Sequence, residues 1–210
     1  MRTAVVVAGG DAPPPGVLDD LPESIWVVGA DSGADHAVEL GLTLDVIVGD
    51  MDSISPDTIS SNPGARVVEY PADKDATDLE LALEVVADRD DIDRVLVLGG
   101  TGGRLDHYLA TMLILAAPRF AALDIQWLAH PARVTVIHGH ARLHGSVGSV
   151  LSLLPIGGDA EGISTTGLRW PLDEERLPFG SSRGVSNEFV TAVATVKVRS
   201  GVLVAVQPVD

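Results

Sequence analysis

Val95-Leu96-Val97-Leu98-Gly99-Gly100-Thr101-Gly102-Gly103-Arg104-Leu105-Asp106 is the stretch that decides the class of fold. Its first four residues are apolar without alternation, which suits a strand buried on both faces of a parallel sheet. Glycines follow at once, and from Leu105 a helical pattern runs to about Ala117, where Pro118 stops it. Strand, glycine loop and helix in that order make one half of a βαβ unit.

Working outward, the same alternation fills the first 130 residues. Ala4–Val7, Ile25–Val28 and Val46–Val48 are further all-apolar runs. Helix patterns lie between them, at Gly33–Leu40 before Gly41 and at Thr77–Ala87. The latter opens on a capping box, Thr77 with Glu80 three residues on, and carries an apolar stripe of Leu79, Leu83 and Val86. Ser55-Pro56 reads as the cap and first position of another short helix. These signals predict a Rossmann-like α/β domain over residues 1–130 with a mostly parallel sheet.

After Pro131 the texture changes. Arg133–Ile137, Ser149–Leu154, Thr191–Val198 and Val202–Val206 are short β-branched runs separated by Gly, Pro, Ser and Asp. They predict a small antiparallel sandwich or barrel over residues 131–210, without a helix of useful length.

Charge divides the chain at the same place. It carries 14 basic and 30 acidic side chains, for a net charge of −16. Residues 1–130 hold 23 acidic against 7 basic groups, and residues 131–210 hold 7 of each. So acidic a chain is a poor partner for nucleic acid or an anionic membrane. With no cysteine there is no disulfide framework, thiol chemistry or cysteine-ligated zinc. The apolar start, Thr3–Ala8, is shorter than the ~7–15 residues of a signal-peptide core. No window approaches the ~18 apolar residues of a membrane span. The expected location is cytoplasmic.

In open α/β sheets, ligands bind beyond the carboxyl ends of the strands. Four polar segments are expected there: Asp31-Ser32-Gly33, Gly49-Asp50-Met51-Asp52-Ser53, Asp73-Lys74-Asp75-Ala76-Thr77-Asp78 and the loop 99–106. Asp50 and Asp52, two apart on an extended segment, point to the same side. Adding Asp31 and Asp75 concentrates negative charge that a cation would relieve. All-oxygen ligation favours Mg²⁺, Mn²⁺ or Ca²⁺ over zinc. The plainer reading makes these residues turn formers and helix caps.

The glycine loop is a phosphate cradle or simply a tight turn, and it fits neither the P-loop nor the dinucleotide spacing. Arg104 has the planar fork to clamp a phosphate. Lys74, one of two lysines, is a ligand contact or a charge balancer. His138, His140 and His144 are metal-ligand candidates by spacing or else surface residues, and His107 is the histidine expected near the site. Later in the chain, Trp170 beside a glycine turn is a stacking platform or an edge residue. Ser186 and Asn187 are hydrogen-bonding partners for a ligand or turn formers.

Taken in order, Asp31-Ser32-Gly33-Ala34-Asp35, Gly49-Asp50-Met51-Asp52-Ser53, Asp73-Lys74-Asp75-Ala76-Thr77-Asp78 and Gly102-Gly103-Arg104-Leu105-Asp106-His107 resemble the motif set of the thiamine pyrophosphokinases. Thr165-Thr166-Gly167-Leu168-Arg169-Trp170 and Ser186-Asn187 resemble that family's thiamine-side motifs, so the resemblance spans nearly the whole chain. It implies a homodimer of chains, each with an α/β domain and a β-sandwich domain. It also implies transfer of the β,γ-pyrophosphoryl group of ATP to the hydroxyethyl oxygen of thiamine, releasing AMP.

Carried over by residue, Asp50, Asp52 and Asp75, with Asp31 close by, would be catalytic and hold Mg²⁺. Lys74, Thr77, Asp78, Gly103, Arg104, Asp106 and His107 would line the ATP side. Trp170, Ser186 and Asn187 would meet thiamine across the dimer interface. The chain departs from the family pattern at Ser32, where a second Gly is usual, and at Asp35, where Asn is usual. Ser32 is expected to narrow the loop and Asp35 to add charge near the metal. A metal-dependent nucleotide hydrolase and a non-catalytic nucleotide or thiamine sensor are the competing readings.

Overall fold

The computed structural model describes residues 2–102 and 104–209. The chain divides into two compact units, Met1–Ile114 with Ala122–His130, and Leu115–Ala121 with Pro131–Asp210.

In the first unit, β1 (Arg2–Val7), β2 (Ile25–Ala30), β3 (Val46–Gly49), β4 (Arg66–Glu69), β5 (Ile92–Leu98) and β6 (Asp124–Ala129) form a parallel array. Their order is β4-β3-β2-β1-β5-β6. The chain steps outward from β1 to β4, then returns to the other side of β1 for β5. The strand order therefore reverses between β1 and β5, where doubly wound sheets open a crevice for ligands.

Among the described residues, four α-helices join the strands: α1 (Gly33–Glu39), α2 (Pro56–Ser61), α3 (Asp78–Ala87) and α4 (Leu105–Leu115). The expected capping at Thr77 is present, its hydroxyl accepting the Glu80 N–H at 3.3 Å. The α2 cap is Ser55, which accepts the Asp57 N–H. Val5, Val7, Val27, Ile47, Leu96 and Leu98 pack with Ala34 and Ala37 of α1 in a core, which explains the uninterrupted apolar strands.

Two strands of this unit escape the apolar-run criterion. β4 is an edge strand with mostly exposed residues, and β6 mixes Asp124 and Gln126 with its apolar positions. Within β6, Trp127 is fully buried; its indole N–H donates to the Gly99 carbonyl at 2.7 Å and its ring packs on Tyr108. The start of the glycine loop is thus tied to the core.

The second unit holds antiparallel strands: β7 (Ala132–Ile137), β8 (His140–His144), β9 (Val150–Thr166), β10 (Glu175–Leu177), β11 (Asn187–Glu188), β12 (Val193–Lys197) and β13 (Ser200–Pro208). β9 is the organiser. Its first part pairs with β13, which pairs in turn with β7, and its last residues pair with β12, which pairs with β8. Leu151, Leu153, Ile163, Ala194, Val196, Leu203 and Phe189 close over one core. Among the described residues no helix is long and apolar enough to cross a membrane.

Candidate active site

At the carboxyl ends of β1 and β5 lies a cleft of about 390 Å³. Its lining includes the loop after β1, Ala8-Gly9-Gly10-Asp11, and the adjoining loop after β5, Gly100-Thr101-Gly102. Backbone bonds join the two loops: Gly100 N–H donates to Gly9 O at 2.8 Å and Asp11 N–H to Thr101 O at 2.8 Å. Gly10 has a φ of 98°, and a Cβ there would overlap the Thr101 carbonyl, so only glycine allows this approach. Thr77, Asp78 and Leu79 at the start of α3, and Arg104 and His107 at the start of α4, also line it. Helix N-termini and free backbone N–H groups favour phosphate.

Asp31, which follows β2, lines the same cleft. Asp31, Asp50 and Asp52 each offer a carboxylate oxygen within 4.8 Å of the others. The expected convergence of Asp50 and Asp52 is real, but its cause differs from strand alternation. Met51 between them adopts a left-handed φ of 66°, and Asp31 a φ of 52°. Non-glycine residues hold such conformations at a cost, and only where surrounding structure enforces them.

The Asp50 carboxyl sits below its ordinary range, first because it accepts the Asp52 N–H at 3.3 Å and then through Asp52's side chain and Lys74. Asp52 is pushed up, because its protonated form bonds Asp50 and because Asp50 and Asp31 are negative. One of the three carboxylates is thus made reluctant to ionise by the other two, a liability that a hard cation removes. Three carboxylate oxygens without His or Cys match the donor set of Mg²⁺, which is commonly held by one or two carboxylates plus substrate phosphates.

Lys74 Nζ lies 3.0 Å from Asp78 Oδ1 and 3.4 Å from Asp50 Oδ2. Burial opposes its charge, but the hydrogen bonds and attraction of Asp78 and Asp50 outweigh that, and its pKa is raised. Arg104 forks onto Asp106, Nε to Oδ1 at 3.2 Å and Nη2 to Oδ2 at 2.6 Å. These bonds bring the Asp106 carboxyl down to about 2.

Asp75 is exposed and is not among the clustered carboxylates. Gly103 lies outside the described residues. Ser32 lines the cleft, and its hydroxyl fills the space a Cβ on Gly9 would need. The charge expected from Asp35 is otherwise engaged: its carboxylate accepts the Ser55 N–H and the Thr58 hydroxyl at the start of α2. Among the described residues His138, His140 and His144 form no metal cluster with other ligating groups. Burial lowers the pKa of His138.

The second unit has its own pocket, about 540 Å³, lined by Leu153, Arg169, Trp170, Leu172, Arg183, Val185, Ser186 and Asn187 among others. Trp170 is 54% exposed, unlike a core tryptophan. Arg169 lies over its ring at 4.9 Å and binds Glu188 at 2.7 Å, while Arg183 pairs with Glu175. Both arginines in the pocket are therefore paired with a glutamate. Asn187 is 8% exposed and spends its amide on Trp170: Oδ1 accepts the Trp170 N–H at 3.1 Å, and Nδ2 donates to Trp170 O at 2.8 Å. It holds the platform in place. Ser186 has a left-handed φ of 60°, and its N–H donates to the Ser152 hydroxyl at 3.1 Å.

The loop Gly9-Gly10-Asp11 lines the cleft but is not among the four segments expected there. Its signal was present: a buried strand followed by two glycines, as in the loop after β5.

The pattern of the thiamin pyrophosphokinase catalytic domain matches residues 19–127, and that of the thiamin pyrophosphokinase vitamin B1 binding domain matches residues 136–203. Thiamine pyrophosphokinase 1 of Oryza sativa is 31% identical over 196 residues, covering 88% of this chain and 71% of its own. Thiamine pyrophosphokinase of Bacillus subtilis is 27% identical, with both chains covered in full. The crystal structure of thiamin pyrophosphokinase from Geobacillus thermodenitrificans superimposes with a TM-score of 0.82 at 26% identity, covering 100% of this chain and 98% of that one.

Proposed function

The chain belongs to the thiamin pyrophosphokinase family, ATP-dependent diphosphotransferases acting on thiamine, and from that premise we propose a division of labour among its residues. One observation carries the assignment: Asp31, Asp50 and Asp52 meet beside a cleft walled by glycine loops and two helix N-termini.

The cleft takes the ATP phosphates. Backbone N–H groups of its glycine loops, with Thr77 and His107, orient them, and Arg104 turns its fork from Asp106 to phosphate oxygen. Asp31, Asp50 and Asp52 hold Mg²⁺, with Lys74 keeping Asp50 and Asp78 aligned. Asp78 lines the cleft and shares Lys74 with Asp50, which makes it a better fourth carboxylate than exposed Asp75. Bound there, Mg²⁺ would offset the charge on the transferring phosphoryl oxygens.

The pocket of the second unit takes thiamine, with Trp170 as the stacking surface and Asn187 as its positioning residue. The hydroxyethyl oxygen of thiamine attacks the β-phosphorus of ATP. The bond from that phosphorus to the bridging oxygen of the α-phosphate breaks, AMP departs, and the hydroxyl proton passes to a carboxylate of the acidic set.

We read the second unit as a β-sandwich, because β9 pairs with β13 along its first part and with β12 at its end, and both strand sets feed one core. We also infer a homodimer. Leu105, Leu109 and Leu113 form an exposed stripe along one face of α4, an arrangement that a second copy would cover. A mass near 22 kDa in sedimentation equilibrium, the mass of one chain, would remove that part.

The purified protein incubated with ATP, Mg²⁺ and thiamine should yield AMP and thiamine diphosphate in equal amounts. ADP with thiamine monophosphate, or AMP release independent of thiamine, would contradict the assigned transfer.

A further inference from the structure

Two segments must stay in fixed relation for Asp31 to meet Asp50 and Asp52: the run from Asp31 into α1, and the run from Asp50 into α2. Two hydrogen-bonded ties join them. Near the carboxylates, the Ser53 hydroxyl donates to Asp31 Oδ1. One helical turn on, Asp35 accepts the Ser55 N–H, at 3.2 Å on Oδ1 and 3.1 Å on Oδ2, and the Thr58 hydroxyl on Oδ1. Thr58 is 5% exposed, so its hydroxyl has little access to water and Asp35 is the acceptor it finds.

Asp35 thus grips the chain three residues past Asp52, where the left-handed turn at Met51 has just redirected it. Nothing else in α1 engages α2 through a side-chain hydrogen bond among the bonds described. Without this grip, only the Ser53 bond to Asp31 and the packing of Ile54 against the core would hold the strained turn, and Asp50 and Asp52 would sit less firmly beside Asp31.

We propose that Asp35 is a positioning residue for the metal-binding turn, acting as a hydrogen-bond acceptor rather than through its charge. The proposal rests on the reading that Asp31, Asp50 and Asp52 hold the divalent ion. Supporting groups of this kind typically change metal affinity by about 10–100-fold when removed.

Mn²⁺ alone, titrated into the whole protein and followed by electron paramagnetic resonance, tests it together with amide hydrogen exchange of residues 50–58 without metal. Asp35→Ala should weaken Mn²⁺ binding at least about tenfold and speed exchange in that segment. Asp35→Asn keeps one oxygen for the Ser55 N–H and the Thr58 hydroxyl, and should bind Mn²⁺ within about threefold of the parent. Parental affinity and exchange in Asp35→Ala would overturn the proposal, and so would Asp35→Asn as weak as Asp35→Ala, which would assign the effect to charge. Should Asp35→Ala not fold, Thr58→Val removes one donor without altering charge. Weakened Mn²⁺ binding in it would support the tie, and parental binding would overturn it. Asp50→Asn separates the two readings: if it too binds Mn²⁺ normally, the metal assignment itself has failed.

Discussion

The two pockets of this chain are built on opposite plans. The cleft of the first unit is lined by loops at strand ends, and beside it three carboxylates are left close to one another. The pocket of the second unit is made of side chains that are already satisfied: Arg169 by Glu188, Arg183 by Glu175, Asn187 by the Trp170 backbone. One site therefore stores electrostatic tension that ion and phosphate can relieve. The other presents an aromatic surface whose neighbouring arginines are each paired with a glutamate, suited to a ring whose own positive charge would be repelled by free arginines.

If that contrast is right, damage to the two sites should separate in the kinetics. The largest effect belongs to the tense site. Asp50→Asn or Asp52→Asn should lower kcat by about 10²–10³-fold or more, as losses of transition-state charge stabilisation do, with the fold intact by circular dichroism. Parental rates in either variant would show that the metal is held elsewhere. A smaller effect belongs to the satisfied site. Trp170→Ala should raise the KM for thiamine by about tenfold or more, in line with the value of stacking on an aromatic ring, and leave the KM for ATP nearly unchanged. An equal loss for both substrates would erase the distinction between the pockets.

Legibility in the sequence follows the same division. Strands buried on both faces, β1, β2, β3 and β5, announce themselves as uninterrupted apolar runs, while β4 and β6 do not. β4 is mostly exposed, and β6 carries polar residues around the one large anchor, Trp127. The Thr77 cap was readable because capping is local in sequence. The convergence of Asp31, Asp50 and Asp52 was readable from strand ends, but the left-handed Met51 that brings Asp50 and Asp52 together was not, since side-chain identity at 51 carries no sign of it.

Roles that depend on distant partners were the least visible. Asn187 reads as a ligand contact until its two bonds to Trp170, seventeen residues away, are seen. Asp35 reads as surplus negative charge until Ser55 and Thr58 are found on its oxygens. Asp75 reads as a ligand because its segment is expected at the same sheet edge as Asp31 and Asp50, yet the clustered carboxylates are Asp31, Asp50 and Asp52.

The most direct test is a crystal grown with Mn²⁺ and a non-hydrolysable ATP analogue, with the ion located by its anomalous scattering. One peak is expected within about 2.0–2.6 Å of oxygens from at least two of Asp31, Asp50 and Asp52, with analogue phosphates on the Gly100–Gly102 loop. An ion bound away from all three carboxylates, with the nucleotide outside that cleft, would contradict it.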